Sequence, residues 1–202
     1  MERIELSKPR EKGELSLEET LWRRRSIRRF RKQPLTFEQF SQMLWACQGI
    51  IDYVTGKRVA PSAGATYPLE VFAVVGEKCV EKVEAGVYHY IPSDHAVEKI
   101  LDGDVRRELA AAALHQEFIA EAPMSIVIAA EYERTTGWYG ERGIRYVHFE
   151  VGHVGQNIHL QAVALGLGTV MIGAFHDDKV AFVLNLPKKL HPLYIAPVGV
   201  PA

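Results

Sequence analysis

A long proline-free stretch with helical periodicity constrains the fold of this chain more than any other feature. Between residues 143 and 165, apolar side chains recur at steps of three and four, which predicts one continuous apolar stripe along a helix. The stripe consists of Val147, Val151, Val154, Ile158, Ala162 and Leu165. A helix of this length can serve as the spine of a domain.

The residues after this helix predict a sharp turn and a short strand. Gly166 and Gly168 suit the left-handed turn that commonly ends a helix, and residues 169–172 suit a short strand. Gly173 and Ala174 then end the strand. Their main-chain N–H groups are not shielded by large side chains, so they could hydrogen-bond the edge of a flat cofactor. A tight exit from a strand explains the same two residues without any ligand.

Length and composition limit the class of protein. With 202 residues, of which 48% are hydrophobic, the chain fits one sizeable domain or one protomer of an assembly. A net charge of -1 predicts no general affinity for polyanions, and no apolar run reaches the ~18 residues of a membrane helix. The charged residues 1–16 lack the apolar core of a secretory signal. Cys47 and Cys79 are isolated, which suits packed thiols in a reducing cytoplasm.

A cluster of cations follows a predicted short helix near the start of the chain. Residues 16–19 form a capping box for that helix, and seven of the ten residues 23–32 are arginine or lysine. This basic segment implies an anion. It could be a solvated face, a nucleic-acid contact or a pocket for one phosphate. An arginine fork with a serine hydroxyl two residues later, as at Arg24 and Ser26, can hold phosphate by several charge-assisted bonds.

A second candidate for ligand contact lies between two prolines. Pro61 and Pro68 enclose a run of small residues, and an apolar strand follows at 69–75. Small side chains and the fixed φ of proline give a rigid backbone surface that a ligand can approach closely. An ordinary surface turn is the alternative. Residues 61–68 are called the platform below.

The remaining pattern predicts an α+β domain built on a mainly antiparallel sheet. A second capping box at 36–39 begins a helix that ends near Gly49, and residues 83–101 alternate as a hairpin. Further elements are expected as an interior strand at 124–130, helices at 134–139, after Asp104 and after Asp177, and a last strand at 194–200. Pro197 predicts that this last strand lies at an edge or contains a bulge.

Metal and nucleotide motifs are incomplete or absent in the sequence. Glu150 and His153 have the spacing of one carboxylate–histidine pair of a di-iron site, which needs two such pairs and further glutamates. His148, His153 and His159 lack the four-residue spacing of a zinc helix, so we predict no metal site. The sequence contains no dinucleotide-binding glycine fingerprint, no P-loop and no hydrolase elbow.

Three of these features occur in the order found in one family. They are the basic motif at 24–28, the platform, and the glycine-rich helix end followed by residues 171–175. Together they resemble the nitroreductase-like FMN-dependent oxidoreductases, and the chain looks closest to the branch that contains dehydrogenases of peptide azoline maturation. That branch shares forms such as PSAGATYPLE, here at 61–70, and E-x-G-H-x-x-Q-N, here at 150–157. The resemblance extends over nearly the whole chain.

The resemblance implies a fold, an assembly and a set of cofactor-binding residues. Members of the family are α+β sandwiches with a mixed, mainly antiparallel sheet and a long central helix at the dimer interface. Their homodimers build two FMN sites across that interface, and we therefore expect residues 1–202 to form a single FMN-binding domain. The positions that match the family's FMN contacts are Arg24, Arg25, Ser26, Arg28, Pro61, Ser62, Ala63, Gly64, Ile172, Gly173 and Ala174.

The family assigns a role to each basic residue of that set. Arg24 and Ser26 match residues at the phosphate and the ribityl chain, and Arg25 between them adds a contact. Arg28 matches a cation near N1 and O2 of the isoalloxazine, where a fixed positive charge raises the flavin potential.

The resemblance also implies a mechanism centred on the cofactor. Residues 61–64 match the segment beside the ring, and Gly173 and Ala174 match the main-chain donors to N5 and O4. NAD(P)H would give a hydride to flavin N5 and leave, and a flat small-molecule acceptor such as a nitroaromatic or a quinone would be reduced in its place. No protein side chain is expected to do covalent chemistry, because the fold supplies position and electrostatics.

Three positions depart from the family pattern. Ala65 stands where members commonly have Asn, and no C-terminal Arg or Lys for the phosphate occurs up to Ala202. Arg145 and Tyr146 occupy the place of a Lys-Tyr pair thought to serve some azoline oxidases, and arginine is a poor general base. We expect a cytoplasmic FMN-dependent oxidoreductase with no nucleic-acid or membrane partner. A peptide azoline dehydrogenase and a non-enzymatic nucleic-acid-binding module are the alternatives.

Overall fold

A seven-stranded sheet organises the chain in a computed structural model that describes residues 2–202. All six pairings between neighbouring strands are antiparallel. In spatial order the strands are β1 (Arg3–Glu5), β6 (Ala96–Asp102), β5 (Gly86–Ile91), β4 (Leu69–Val75), β7 (Met124–Ala130), β9 (His191–Gly199) and β8 (Gly168–Thr169). A separate two-stranded hairpin consists of β2 (Ile50–Asp52) and β3 (Lys57–Arg58).

Helices cover both faces of the sheet. On one side lie α1 (Leu17–Arg23), α2 (Phe37–Gln48), α5 (Glu133–Tyr139) and α6 (Arg142–Ala164), and on the other side α3 (Arg106–Ala112), α4 (Phe118–Glu121) and α7 (Asp177–Val183). Each side contains its own hydrophobic core, so the architecture is a three-layer α+β sandwich.

The two central strands show why the sheet must be covered twice. In β4, Val71 and Ala73 belong to the core beneath α2 and α6, whereas Phe72 and Val74 belong to the core on the opposite side. Every residue of β7 is buried. Because successive side chains point to opposite faces, a continuous apolar run needs an apolar layer on each side. The predicted interior strands at 69–75 and 124–130 are confirmed.

The predicted spine helix is confirmed as α6. Its 23 residues make it about 35 Å long. Five of the six predicted stripe residues are buried against the sheet and α2, and Leu165, the sixth, is half-buried at the C-cap. Gly166 follows with φ of +70°, which is the left-handed conformation predicted for it.

The strand predicted at 169–172 is shorter than expected, and Pro197 explains why. β8 pairs Thr169 with Val198, and the next contact in the same register is the single bridge between Ile172 and Ile195. In that register Pro197 lies opposite Val170. The Ile195 N–H donates to the Ile172 carbonyl on the β8 side. Main-chain N–H groups two residues apart face the same neighbouring strand, so an N–H at position 197 would also face β8. Proline has no N–H, so the ladder is interrupted there. Of the two alternatives predicted from Pro197, the edge strand is wrong, since β8 lies outside β9. The bulge is found, because the register of β9 against β7 shifts by one residue between Tyr194 and Pro192, although not at Pro197 itself.

Two predicted helix caps are also wrong in detail. α3 begins at Arg106 with Val105 at the N-cap, and the Asp104 carboxylate accepts the Arg106 N–H at 3.2 Å while it forms a bidentate ion pair with the Arg106 guanidinium. α7 begins at Asp177 itself, after His176.

Both predicted capping boxes are confirmed, and one offers a stability test. The Thr36 hydroxyl accepts a hydrogen bond of 3.1 Å from the Gln39 N–H, and the Gln39 side chain accepts one of 3.0 Å from the Thr36 N–H. Thr36→Ala should lower the free energy of unfolding by about 1 kcal/mol. Calorimetry should show a melting temperature roughly 2–4 °C lower. Ser93→Ala, in an exposed turn, is the control, and equal melting of the two variants would contradict the role of this cap.

Candidate functional site

The basic segment runs along the free edge of the sheet. Ser26 forms a parallel bridge with Thr169 of β8, and the Ile27 N–H donates to the Thr169 carbonyl at 2.9 Å. Further on, the Arg31 N–H donates to Val200 at 2.9 Å, and Phe30 bridges Pro201. The segment is therefore an ordered border of the sheet, in which the main chain is tied down and the charged side chains project from it.

Most cations of this segment have no counter-charge within the chain. Arg23 pairs with Glu19 at 3.0 Å. In residues 2–202, no carboxylate lies within 4.0 Å of any of the other six, which are Arg24, Arg25, Arg28, Arg29, Arg31 and Lys32. The concentration of unpaired positive charge creates a local positive potential in a chain of net charge -1. This positive potential favours the binding of an anion at the sheet edge.

A cavity of about 230 Å³ opens beside these cations. Its lining includes Arg25, His159, Gly168 and Thr169. The Thr169 hydroxyl is buried without a hydrogen-bond partner. Burial, and then the nearby charge of Arg24, lowers the pKa of His159, so this imidazole is neutral at pH 7. The cavity therefore combines guanidinium donors with two uncharged polar groups, a set that suits an oxyanion.

Gly173 and Ala174 lie on the same edge, close to the basic segment in the sheet. Ile172 exchanges main-chain hydrogen bonds of 2.9 and 3.0 Å with Ile195, which anchors the residue before them. Both small residues are exposed, and only the Ala174 carbonyl is engaged, by the Gln116 amide at 3.0 Å. Within the described part of the chain neither N–H donates to a protein acceptor. Two main-chain donors are thus available where the sequence predicted them.

The platform has a strained backbone. Residues 63–65 form a short 3-10 turn in which Gly64 has φ of +58° and Ala65 has φ of +53°. Tyr67 also has a positive φ, of +44°. A non-glycine residue in this region costs roughly 1–2 kcal/mol, so the surroundings must hold Ala65 and Tyr67 in place. Asn tolerates this conformation better than Ala, which is a physical reason for the Asn that the family commonly has at the position of Ala65.

Hydrogen bonds at both ends of the platform provide that support. The Ser62 hydroxyl accepts the Tyr67 N–H at 2.9 Å, and the Arg134 guanidinium donates to the Tyr67 carbonyl at 3.1 Å. The hydroxyls of Thr66 and Thr135 lie 2.8 Å apart. Loop geometry is therefore fixed by α5 as well as by the platform's own side chains.

A buried carboxyl of α6 reaches the same loop. Glu150 is only 2% exposed, and the Gln48 amide donates to its Oε1 at 3.2 Å. Burial raises the pKa of the Glu150 carboxyl, and hydrogen bonds from Ser62 and Gln48 offset only part of that rise. Sequence analysis considered Glu150 solely as a metal ligand and missed this role. The available signal was a charged residue three positions from Val147 and four from Val154, inside the apolar stripe.

One chain does not bring all the predicted residues together. The platform meets α6 near Glu150, whereas the cavity beside the basic segment reaches α6 at His159 and Ala162. These positions are 9–12 residues apart, or roughly 14–18 Å along the helix. The cavity beside the basic segment and the platform therefore lie at different levels of α6.

A group of aromatic side chains lies beside the platform. The rings of Tyr139 and Tyr146 meet edge to face with centroids 5.1 Å apart, and Phe149 lies 6.4 Å from Tyr146. Trp138 is 84% exposed. These groups form an apolar wall next to Gly64, whose missing Cβ leaves room for the Tyr139 hydroxyl.

Neither a metal cluster nor a membrane-spanning helix was found in residues 2–202. No group of three or more potential ligands is placed to hold a metal ion there, and none of the described helices is long and apolar enough to cross a bilayer. His148, one of the three histidines weighed as ligands, lies 2.7 Å from the Tyr132 hydroxyl instead.

Comparison with known proteins assigns the chain to a family. The sequence model described as "Nitroreductase family" matches residues 21–200. The chain belongs to the nitroreductase family. A nitroreductase-family protein of Methanocaldococcus jannaschii is 52% identical over 186 residues, which cover 92% of this chain and 91% of that protein. The predicted family and the predicted α+β fold are both confirmed. A crystal structure from Ralstonia eutropha superposes with a TM-score of 0.87 at 28% identity, covering 99% of this chain and 90% of its own.

Relatives from peptide-toxin biosynthesis also match. The Microcin B17-processing protein McbC of Escherichia coli is 30% identical over 66% of this chain and 50% of its own length. The E. coli microcin synthetase McbBCD complex, solved with truncated pro-MccB17 bound, contains a chain that superposes with a TM-score of 0.75 at 28% identity, over 84% of this chain and 66% of that one. This chain spans about half the length of the curated McbC. The family thus connects it to both a nitroreductase and a peptide-processing branch.

Gly64 provides a direct test of the platform's geometry. A Cβ at this position would lie 2.6 Å from the Tyr139 hydroxyl, and the φ of +58° would strain any side chain. Gly64→Ala should lower the free energy of unfolding by roughly 1–2 kcal/mol, measured by urea denaturation. Gly137→Ala, on α5 with open space around it, should be neutral or stabilising. A Gly64 variant as stable as the Gly137 variant would contradict the described loop.

The raised pKa of Glu150 predicts how stability depends on pH. The folded state keeps this proton to a higher pH than the unfolded state does. The contribution of the carboxyl to stability therefore falls as the pH rises from the ordinary pKa of 4.5 through the pKa in the folded state. Glu150→Gln removes the titration. The free energy of unfolding of this variant relative to the wild type should therefore increase between pH 4.5 and pH 8 in urea titrations. A difference that is constant, or that decreases, would contradict the raised pKa.

Proposed function

We propose that the chain is an FMN-dependent oxidoreductase that takes electrons from NAD(P)H and reduces a flat acceptor such as a nitroaromatic or a quinone. The observation that carries this proposal is the placement of unpaired arginines and two free main-chain donors along one sheet edge. An arginine cluster suits the phosphate end of FMN, and exposed N–H groups suit the edge of its ring. Residues 1–202 would form a single FMN-binding domain.

The residues present fit this cofactor. Arg24, Arg25 and Ser26 would hold the phosphate and the ribityl chain beside the cavity that Thr169 lines. The family commonly uses a C-terminal cation on the phosphate. In this structure residue 202 lies against the basic segment, since the Ala202 N–H donates to the Arg29 carbonyl at 3.2 Å. We propose that this segment supplies positive charge to the phosphate.

The chemistry would lie with the cofactor, and the protein would orient and polarise it. Bound FMN would accept a hydride from NAD(P)H at N5 and would then pass it to the substrate that is reduced, in a ping-pong sequence. The main-chain N–H groups of Gly173 and Ala174, which follow Ile172, would donate hydrogen bonds to the edge of the flavin ring. Arg28 would place a fixed positive charge where negative charge accumulates on reduction. No catalytic side chain is assigned.

We further propose a homodimer with FMN sites at the subunit interface. Because the platform and the basic segment lie apart on α6, a site that uses residues 61–64 together with Arg24 needs a second copy. The outer surface supports this arrangement. Trp22 of α1 is 84% exposed and Phe149 of α6 is 55% exposed, which is unusual for large apolar residues on helices that pack together in a monomer. The free thiols of Cys47 and Cys79 suit a cytoplasmic location.

A peptide azoline dehydrogenase is the second candidate. The similarity to McbC and to the microcin synthetase complex favours it. Arg145, a poor general base, stands against it at the place of the expected lysine. The two candidates differ in substrate. A purified protein that oxidises a thiazoline-containing peptide, but not NAD(P)H in the presence of a quinone, would establish the second.

The visible spectrum of the purified protein tests the cofactor. Flavin absorption bands, with FMN identified by mass after heat release, are the expected result, followed by NAD(P)H-dependent reduction of a quinone. A colourless protein that neither quenches added FMN fluorescence nor perturbs its spectrum would overturn the proposal. Salt-sensitive binding of DNA by such a colourless protein would point to the nucleic-acid-binding alternative.

Arg28→Ala tests the role of the basic segment in that site. Loss of this charge should weaken FMN binding roughly three- to tenfold in fluorescence titrations, or lower the flavin potential in the bound state. Arg107→Ala, on the outer helix α3, makes the same change in net charge and should alter neither quantity. If the two variants bind FMN with the same affinity and potential, Arg28 is not part of the site.

A further inference from the structure

The platform is held by more than its own residues. Ala65 and Tyr67 keep positive φ values of +53° and +44°, and such strain persists only where neighbouring groups enforce it. Ser62 is central to this restraint. Its hydroxyl accepts the Tyr67 N–H at 2.9 Å, and its carbonyl accepts the Ala65 N–H at 3.1 Å. Whatever fixes Ser62 therefore fixes the whole loop.

A buried polar chain links the platform to the core. The Gln48 amide donates to the Glu150 carboxyl at 3.2 Å. The Gln48 carbonyl in turn accepts from the Arg58 guanidinium at 3.1 Å. Gln48 is fully buried, and its amide dipole lies with the NH₂ toward the carboxyl and the oxygen toward the cation. This orientation is electrostatically favourable at both ends.

Arg58 closes the chain back onto the platform. Its guanidinium lies over the Tyr67 ring, 4.5 Å from the centroid, and its main-chain N–H donates to the Tyr67 hydroxyl at 3.2 Å. Glu150, Gln48 and Arg58 thus form a chain from α6 through α2 and β3 to the Tyr67 end of the loop.

Packing alone does not explain a carboxyl at position 150. The position lies within the apolar stripe of α6, where an aliphatic side chain would avoid the cost of burying a polar group. A carboxyl can do what an aliphatic residue cannot. It accepts the hydrogen bond of the Gln48 amide, and this bond turns the Gln48 oxygen toward the Arg58 guanidinium, which lies over Tyr67.

We propose that Glu150 is a positioning residue of the platform: through Gln48 and Arg58 it holds Tyr67, and with it residues 61–67, in the strained shape that contacts the cofactor. The cofactor part of this inference rests on the proposed function. The positioning part concerns the protein alone. Preorganisation of this kind strengthens binding because the loop has little freedom left to lose.

Hydrogen–deuterium exchange of peptides covering 61–67 tests the positioning part without any ligand. Glu150→Leu should raise exchange at the amides of Ala65 and Tyr67 about tenfold, because the Arg58 guanidinium would no longer be held over Tyr67 and both amides donate to Ser62 within the same loop. Glu150→Gln, which keeps an acceptor oxygen, should restore exchange close to the wild-type rate. Ile158→Ala lowers the global stability of the protein without contacting the platform. In this variant, protection of the two amides should fall only as far as the lower free energy of global unfolding requires.

FMN titration of the same variants tests the consequence for the site. The dissociation constant should rise about tenfold in Glu150→Leu and return to within about threefold of wild type in Glu150→Gln. If Glu150→Leu does not fold, Gln48→Met takes its place in both the exchange and the titration experiments, because this substitution breaks the link to Arg58.

The outcomes separate this inference from the proposed function. Wild-type exchange at 61–67 in Glu150→Leu, or equal loss of protection in Ile158→Ala, would overturn the positioning role. Raised exchange with unchanged FMN affinity would remove the platform from the cofactor site. Should the wild type bind no FMN, the proposed function fails, and the exchange experiment still decides whether Glu150 holds the loop.

Discussion

The packing of α6 against the sheet is the contact on which the other features depend. Its stripe from Val147 to Ala162 covers the centre of one sheet face, and its two halves meet different parts of the candidate site. The half that contains Glu150 lies next to the platform, and the half that contains His159 lines the cavity at the sheet edge. A buried helix about 35 Å long thus sets the separation between the platform and the cavity. The proposed homodimer, with sites shared between two copies, draws on this separation.

The site differs from a catalytic pocket built of reactive side chains. Its elements are unpaired guanidinium groups, two main-chain donors and a strained loop of small residues. Each provides position or charge, and none is a nucleophile. Such an arrangement suits a bound group that carries its own reactivity, with the protein selecting orientation and potential. The aromatic residues around Tyr139 add a wall against which a flat molecule could stack.

Local patterns were sufficient to predict the main elements. The apolar stripe of α6, the two capping boxes and the continuous runs of β4 and β7 depend on neighbours a few residues away, so sequence periodicity reveals them. Glu150 could not be placed in this way, because Gln48 is 102 residues distant and Arg58 is also remote in sequence. The same reason applies to Pro197, whose effect on β8 depends on a partner strand. Asp104 was misassigned because the Arg106 side chain competes for its carboxylate. The roles carried over for Arg24, Arg28 and Gly173 remain predictions.

The basic segment has a second consequence, which concerns colloidal behaviour. An exposed edge strand offers unpaired main-chain groups to other sheets, and proteins commonly protect such edges with charge. Here residues 26–31 run outside β8 and along the end of β9, and they carry several of the unpaired cations. Two copies that approach edge to edge would therefore repel each other. The residues proposed to bind an anion therefore also protect the sheet edge from self-association. Variants that neutralise these cations should lose solubility as well as affinity for the anion.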